Sequence, residues 1–103
     1  MTANELSQYV MRTLNSNGFA VWRANSGYYG KNVKLAPPGT PDIIGYDQYG
    51  CFIGVEIKVG NDQLRESQVI WHESLNKTLY GHVYIVKDTG DVEAILNARK
   101  SLF

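Results

Sequence analysis

The chain has 103 residues and a mass of 11.6 kDa, with 44% hydrophobic and 19% charged residues. That size and balance exclude a disordered chain and predict one globular domain over residues 1–103. Ten Lys plus Arg cancel ten Asp plus Glu, so bulk charge points to no polyanionic partner, and the lone Cys51 excludes both a disulfide framework and a cysteine-based zinc site.

The opening segment MTANELSQYV lacks the basic start and apolar core of a secretory signal, and no apolar run approaches the roughly 18 residues of a membrane span. A cytoplasmic location is expected. Leu6, Val10 and Leu14 recur every four residues, and Thr2 precedes Glu5 at capping-box spacing, which predicts a helix over 3–16. Asn17 and Gly18 end it, and residues 19–24 have the aromatic and β-branched content of a strand. Residues 25–40, NSGYYGKNVKLAPPGT, read as a loop longer than compact domains usually carry, hence a functional one. Residues 41–46 and 51–59 read as a β-hairpin around 47–50. Asn61 or Asp62 is expected to cap a helix running to about Asn76, residues 81–87 form a further strand, and Asp91 opens a last helix with Val92, Ile95 and Leu96 inward. The order α-β-β-β-α-β-α, a meander followed by a helical crossover, predicts an α/β fold with a mixed sheet flanked by helices.

Alternation in CFIGVEIKV places Cys51, Ile53, Val55, Ile57 and Val59 on a core face, with Phe52, Gly54, Glu56 and Lys58 on the other. Gly54 is expected to leave room for a small cleft above the sheet. A three-residue loop with Gly50 left-handed sets Ile44 opposite Gly54 and Asp42 opposite Glu56; a two-residue loop would turn Asp42 to the far face. Two carboxylates about 4 Å apart repel by about 1 kcal/mol in water and about 4 kcal/mol at a protein surface, so the pair calls for positive charge. Lys58 supplies part of it. Two acidic oxygens beside the Ile57 backbone carbonyl also form a hard-oxygen half-shell for Mg2+ or Mn2+, to be completed by water and substrate phosphate. An ion there polarises a phosphodiester and activates a water, while the adjacent ammonium steadies the attacking oxygen, which is nuclease chemistry. The plainer alternative makes Glu56 and Lys58 a solvated strand face and Asp42 merely the start of a strand.

Pro41-Asp42 followed by Glu56-Ile57-Lys58 resembles the PD-(D/E)xK nuclease signature. With the strings GTPDIIGY, FIGVEIKV and SQVIWHESL, nearly the whole chain is similar to the virus-type replication-repair nuclease (VRR-NUC) family in its stand-alone, single-domain form. The resemblance implies a restriction-endonuclease-like core and an endodeoxyribonuclease dependent on Mg2+ or Mn2+. Asp42 and Glu56 would hold the metal and Lys58 would assist the water. It also implies that Gln68, a polar break in the stripe Leu64, Gln68, Trp71, Leu75, helps hold the active site; a boundary amide bonded to backbone is the alternative. Trp71 reads as core. Glu5 has two readings, helix cap or an acid reaching the metal through water. A role in replication or repair, a homodimer and branched DNA such as a four-way junction are further implications. A non-cutting DNA-binding or assembly module, or a nuclease for flap, nicked or linear DNA, are the competing readings.

No acid lies between Glu5 and Asp42, whereas Arg12, Arg23, Lys31 and Lys34 give that stretch a charge of +4. Arg23, Asn25, Ser26, Tyr28, Tyr29, Lys31 and Lys34 are expected to contact phosphates or stack on bases, against the alternative of an ordinary polar loop. Residues 42–103 carry nine acids and six bases and are expected to face away from nucleic acid. Dimer contacts are expected near Tyr28, Tyr29, Val33 and Leu35 or at Leu102 and Phe103. His72 and His82 match no zinc spacing, and the glycines form no nucleotide-phosphate loop.

Overall fold

The computed structural model describes residues 1–24, 38–77 and 81–100, and the backbone of 28–29 and 33–34. Helix α1 (Ala3–Ser16) begins in the expected capping box: Thr2 Oγ1 accepts from Glu5 N–H at 3.1 Å and Glu5 Oε1 accepts from Thr2 N–H at 2.9 Å. It buries Leu6, Val10 and Leu14. Gly18, at φ 90°, turns the chain into β1 (Ala20–Arg23). The stretch expected to be a loop contains a small antiparallel ribbon, β2 (Tyr28–Tyr29) with β3 (Val33–Lys34). Then come β4 (Ile43–Tyr46), β5 (Phe52–Ile57), α2 (Glu66–Leu75), β6 (Gly81–Val86) and α3 (Thr89–Arg99).

The main sheet runs β1-β4-β5-β6, antiparallel except for the parallel β5–β6 pair that α2 connects. Apart from the ribbon, the order is the expected α-β-β-β-α-β-α. On one face α1 and α3 pack together, and Leu6, Val10 and Leu14 meet Ile43, Ile53, Val55, Val86, Val92 and Ile95 in the core. On the other, α2 packs on β6, with Leu75 close to Gly81. No helix among the described residues is long and apolar enough to cross a membrane.

Both outer strands have their edges covered by an asparagine acting as a one-residue strand. Val21 N–H donates to Asn15 Oδ1 at 2.8 Å while Asn15 Nδ2 donates to Val21 O at 3.1 Å. At the opposite edge Asn76 repeats this with Val83, at 2.8 and 3.3 Å.

The β4–β5 hairpin has the three-residue loop, with Gly50 at φ 82° and the register Ile43↔Val55, Ile44↔Gly54. Asp47 anchors it. Its Oδ1 accepts from Tyr49 N–H and Cys51 N–H, both at 2.9 Å, and its Oδ2 accepts from Arg99 Nε at 2.9 Å, with Arg99 Nη2 in ion-pair contact at 2.8 Å. Asp47 and Arg99 are both buried.

Several boundaries differ from expectation. Helix α2 starts at Glu66 rather than after Asn61 or Asp62, because Gly60, at φ 61°, turns the chain and Gln68 caps Arg65 N–H instead. Helix α3 starts at Thr89 behind Asp88, whose Oδ1 accepts from Asp91 N–H at 3.1 Å; Asp91 lies in the first turn and its Oδ2 accepts from Lys87 N–H at 2.8 Å. Strand β5 ends at Ile57, although Lys58 N–H still donates to Val86 O at 3.0 Å.

Arg99→Ala strands the buried Asp47 carboxylate and is expected to destabilise the protein by about 3–5 kcal/mol, against about 1 kcal/mol for Asn76→Ala. Urea unfolding of the two variants measures both; equal, small losses would contradict the anchoring role of the pair.

Candidate active site

The site lies on the sheet face turned away from α1 and α3, where β4 and β5 run side by side. Continuing the register one residue past Ile43↔Val55 sets Asp42 across from Glu56, as the three-residue turn requires. Ala24 N–H donates to Asp42 O at 2.9 Å, so β1 also holds the Asp42 backbone. Asp42 Oδ2 accepts from Ile57 N–H at 2.8 Å, and Asp42 N–H donates to Glu56 Oε1 at 3.3 Å. Glu56 is thus tied to the Asp42 backbone, and Asp42 to the backbone one residue past Glu56.

Pro41 explains the neighbouring glycine. A Cβ on Gly54 would lie 2.8 Å from Pro41 Cγ and 3.3 Å from Val83 Cγ2. The room expected above Gly54 is therefore filled, not open. Proline seats itself flat on the sheet there and delivers the next residue, Asp42, to the edge of Glu56.

Glu56 is 0% exposed, and its Oε2 is buried with no hydrogen-bond partner among the described residues. Burial, then the Asp42 charge and a hydrogen bond shared with the Asp42 carboxyl, push its pKa from 4.5 up to about 8. The Asp42 N–H and the Lys58 ammonium pull the other way without winning. Lys58 is itself buried; its Nζ lies 3.7 Å from Oδ2 of the exposed Asp62, beside an open groove of about 430 Å3 lined also by Gln63, Leu64, Ile85 and Lys87. Face alternation thus holds for Glu56 and Lys58, yet both are buried, so a solvated strand face is not what forms.

An orphaned buried carboxylate oxygen beside a second carboxylate is a place for a cation. No group of three or more His, Cys, Asp or Glu among the described residues is disposed to hold a metal, which argues against a full protein cage. Two carboxylates suit Mg2+ or Mn2+, ions that take one or two protein carboxylates and fill the rest with water and phosphate oxygens.

Gln68 is buried at the start of α2, and its Oε1 accepts from Arg65 N–H at 2.8 Å, the boundary-amide arrangement. Glu5 is exposed and held in the cap, whose hydrogen bonds lower its pKa. Arg23 is exposed, with Nη2 donating to Asn4 Oδ1 at 3.1 Å. Asn25, Ser26 and Lys31 lie outside the described residues, as do Leu35, Leu102 and Phe103, and so do the side chains of Tyr28, Tyr29, Val33 and Lys34. Burial holds His72 and His82 below the usual histidine range, and His82 also feels Arg99. Sequence reasoning missed the Asp47–Arg99 pair. The signal was present: Arg99 falls on the same inward stripe as Val92 and Ile95, and a buried guanidinium requires a carboxylate.

No family model and no curated protein matches the sequence. A solved structure described as a "VRR_NUC domain" superposes with a TM-score of 0.68, covering 96% of this chain and 99% of that one at 20% identity. The chain has the VRR-NUC fold. In this VRR-NUC fold the acid pair sits where an antiparallel hairpin and a parallel strand meet, with β4 and β6 on the two sides of β5.

Glu56 holds its proton more tightly when folded, at about 8, than at its ordinary 4.5. In that window the folded state binds more protons than the unfolded one, so metal-free protein is expected to lose stability as pH rises from about 4.5 to about 8. Glu56→Gln should flatten that slope and raise the melting temperature in chelator at pH 8. Thermal unfolding across pH measures it; an unchanged slope in the variant would contradict the assignment.

Proposed function

We propose that the chain is an endodeoxyribonuclease dependent on Mg2+ or Mn2+, hydrolysing phosphodiester bonds in branched DNA in the manner of a four-way-junction resolvase. The observation that carries this reading is the buried Glu56 across from Asp42, its Oε2 without a hydrogen-bond partner among the described residues, with Lys58 two residues further along the chain. A cation bound to Asp42, Glu56 and the Ile57 carbonyl would supply Lewis-acid activation of water and phosphate. The chain's own groups do the rest. Lys58 orients the attacking water and offsets the negative charge that gathers on the phosphate. Ile57 N–H and Asp42 N–H hold the two carboxylates in place through the bonds described above. Gln68 acts through Arg65, fixing the start of α2 close to the site. Glu5 uses Oε1 in its cap, and a water-mediated contact to the ion is assigned to it only on the strength of the resemblance.

Arg23, with Asn25, Ser26, Tyr28, Tyr29, Lys31 and Lys34, is assigned to phosphate and base contact on the strength of the +4 charge of that stretch. A homodimer would place two such sites symmetrically, as paired cuts in a symmetric junction require. Action in replication or repair in the cytoplasm completes the reading.

The test is one gel. End-labelled four-way junction, flap and linear duplex are incubated with Mn2+, with Mg2+ and with chelator, using wild type and Lys58→Ala. Paired, metal-dependent cuts in the junction are expected, reduced about 10²–10³-fold or more in the variant. Cuts confined to flap or linear DNA would keep the chemistry and overturn the resolvase. A junction that is bound and never cut would favour the non-cutting binding module.

A further inference from the structure

Among the described residues, the face of the sheet that carries Glu56 is covered toward β6 and left open toward β1. Helix α2 packs on β6, and Pro41 covers Gly54. At the β1–β4 end, Trp22 and Tyr46 remain 50% and 49% exposed, although the strand neighbours Val21 and Ile43 are buried in the core. The two exposed rings touch edge-on, with centroids 6.5 Å apart and planes at 76°. The pairing Trp22↔Ile44 and Tyr46↔Phe52 places both on the Glu56 face, because alternate residues from Phe52 to Glu56 share it. Along β4 that face shows Asp42, Ile44 and Tyr46 in turn. The aromatic pair therefore begins about 7 Å from Asp42 and ends about 13 Å from it, within the span of one or two nucleotides.

We propose that Trp22 and Tyr46 form a platform on which an unstacked base of the substrate stacks beside the phosphate held at Asp42 and Glu56. The proposal rests on the nuclease reading and narrows its substrate. With the planes at 76° only one ring at a time meets a base face to face, braced edge-on by the other; that π-face accepts any base, so it supplies affinity without sequence preference. Bases inside a duplex are already stacked on one another and cannot reach it. The platform thus favours a strand whose base next to the cut is free, at a branch point, a gap or a single-stranded end. The strip between the rings and the acids, Ile44 and Gly54, bears no charge that would repel a nucleotide. A second copy of the chain is the weaker occupant. Two half-exposed aromatics, each of about 150–250 Å2 in all, fall well short of the roughly 800 Å2 per partner of a stable interface.

The chain has two tryptophans, so a Trp71→Phe background leaves Trp22 as the reporter. Its emission is titrated with a twelve-nucleotide oligo(dT) and with a blunt duplex of equal length, in Ca2+ to allow binding without turnover. Quenching by oligo(dT) at lower concentration than by duplex is expected. In parallel, anisotropy of labelled oligo(dT) should show about tenfold weaker binding for Trp22→Ala, most of it restored in Trp22→Phe. Oligo(dT) bound equally well by all three proteins, or by none, would overturn the platform. Stacking that persists while no DNA is cut in Mn2+ would support the platform and overturn the nuclease reading instead. Sedimentation without DNA closes the alternative: a monomer–dimer equilibrium shifted by Trp22→Ala, with oligo(dT) affinity unmoved, would assign this face to a second copy and overturn the stacking role.

Discussion

The register of β4 against β5 is the constraint on which the rest of the molecule depends, because a slip of one residue would exchange the two faces of β4. Ile43 would leave the core, and Asp42 would no longer face Glu56. Two features pin it. Asp47 closes the turn by accepting from Tyr49 and Cys51 N–H, and Arg99, 52 residues away, holds the same carboxylate from α3. Gly45 is the second, since a Cβ there would collide with the Ala20 carbonyl of β1. The last helix, the hairpin turn and the first strand therefore all bear on where one aspartate sits.

That placement works against stability. Asp42 and Glu56 are like charges brought together on a buried face, and the metal-free fold accommodates them by keeping Glu56 protonated well into the neutral range. Lys58 is too weak an influence to reverse this. Glu56 and Lys58 are buried and Asp42 half-buried, so this cluster is built into the sheet rather than laid on a loop, and backbone N–H donors help fix the two carboxylates. On the proposed reading a cation would relieve that repulsion, at the Glu56 oxygen that has no hydrogen-bond partner among the described residues.

Much of this was legible in the residues. The capping box at Thr2 and Glu5, the crossover between β5 and β6, and the pairing of Asp42 with Glu56 all follow from local pattern and turn length. What was not legible is tertiary. Asn61 and Asp62 have the chemistry of a helix cap, but Gly60 turns the chain there, so α2 starts at Glu66. Gly54 reads as open space because sequence cannot show Pro41 lying on it. The burial of Glu56 and Lys58 escaped alternation, which says which face a side chain takes and nothing of what covers that face. The ribbon at 28–34 escaped because two-residue strands carry no periodicity.

If Asp42 and Glu56 form a cation site, the proton held there must leave when the ion enters. Titration calorimetry of Mn2+ binding at pH 7, run in two buffers of different ionisation enthalpy, reads the protons released per ion directly. With the Glu56 pKa at about 8, release of close to one proton per site is predicted, and both binding and release should vanish in Glu56→Gln. Binding that releases no proton, or that survives the substitution unchanged, would rule out a cation site at Asp42 and Glu56.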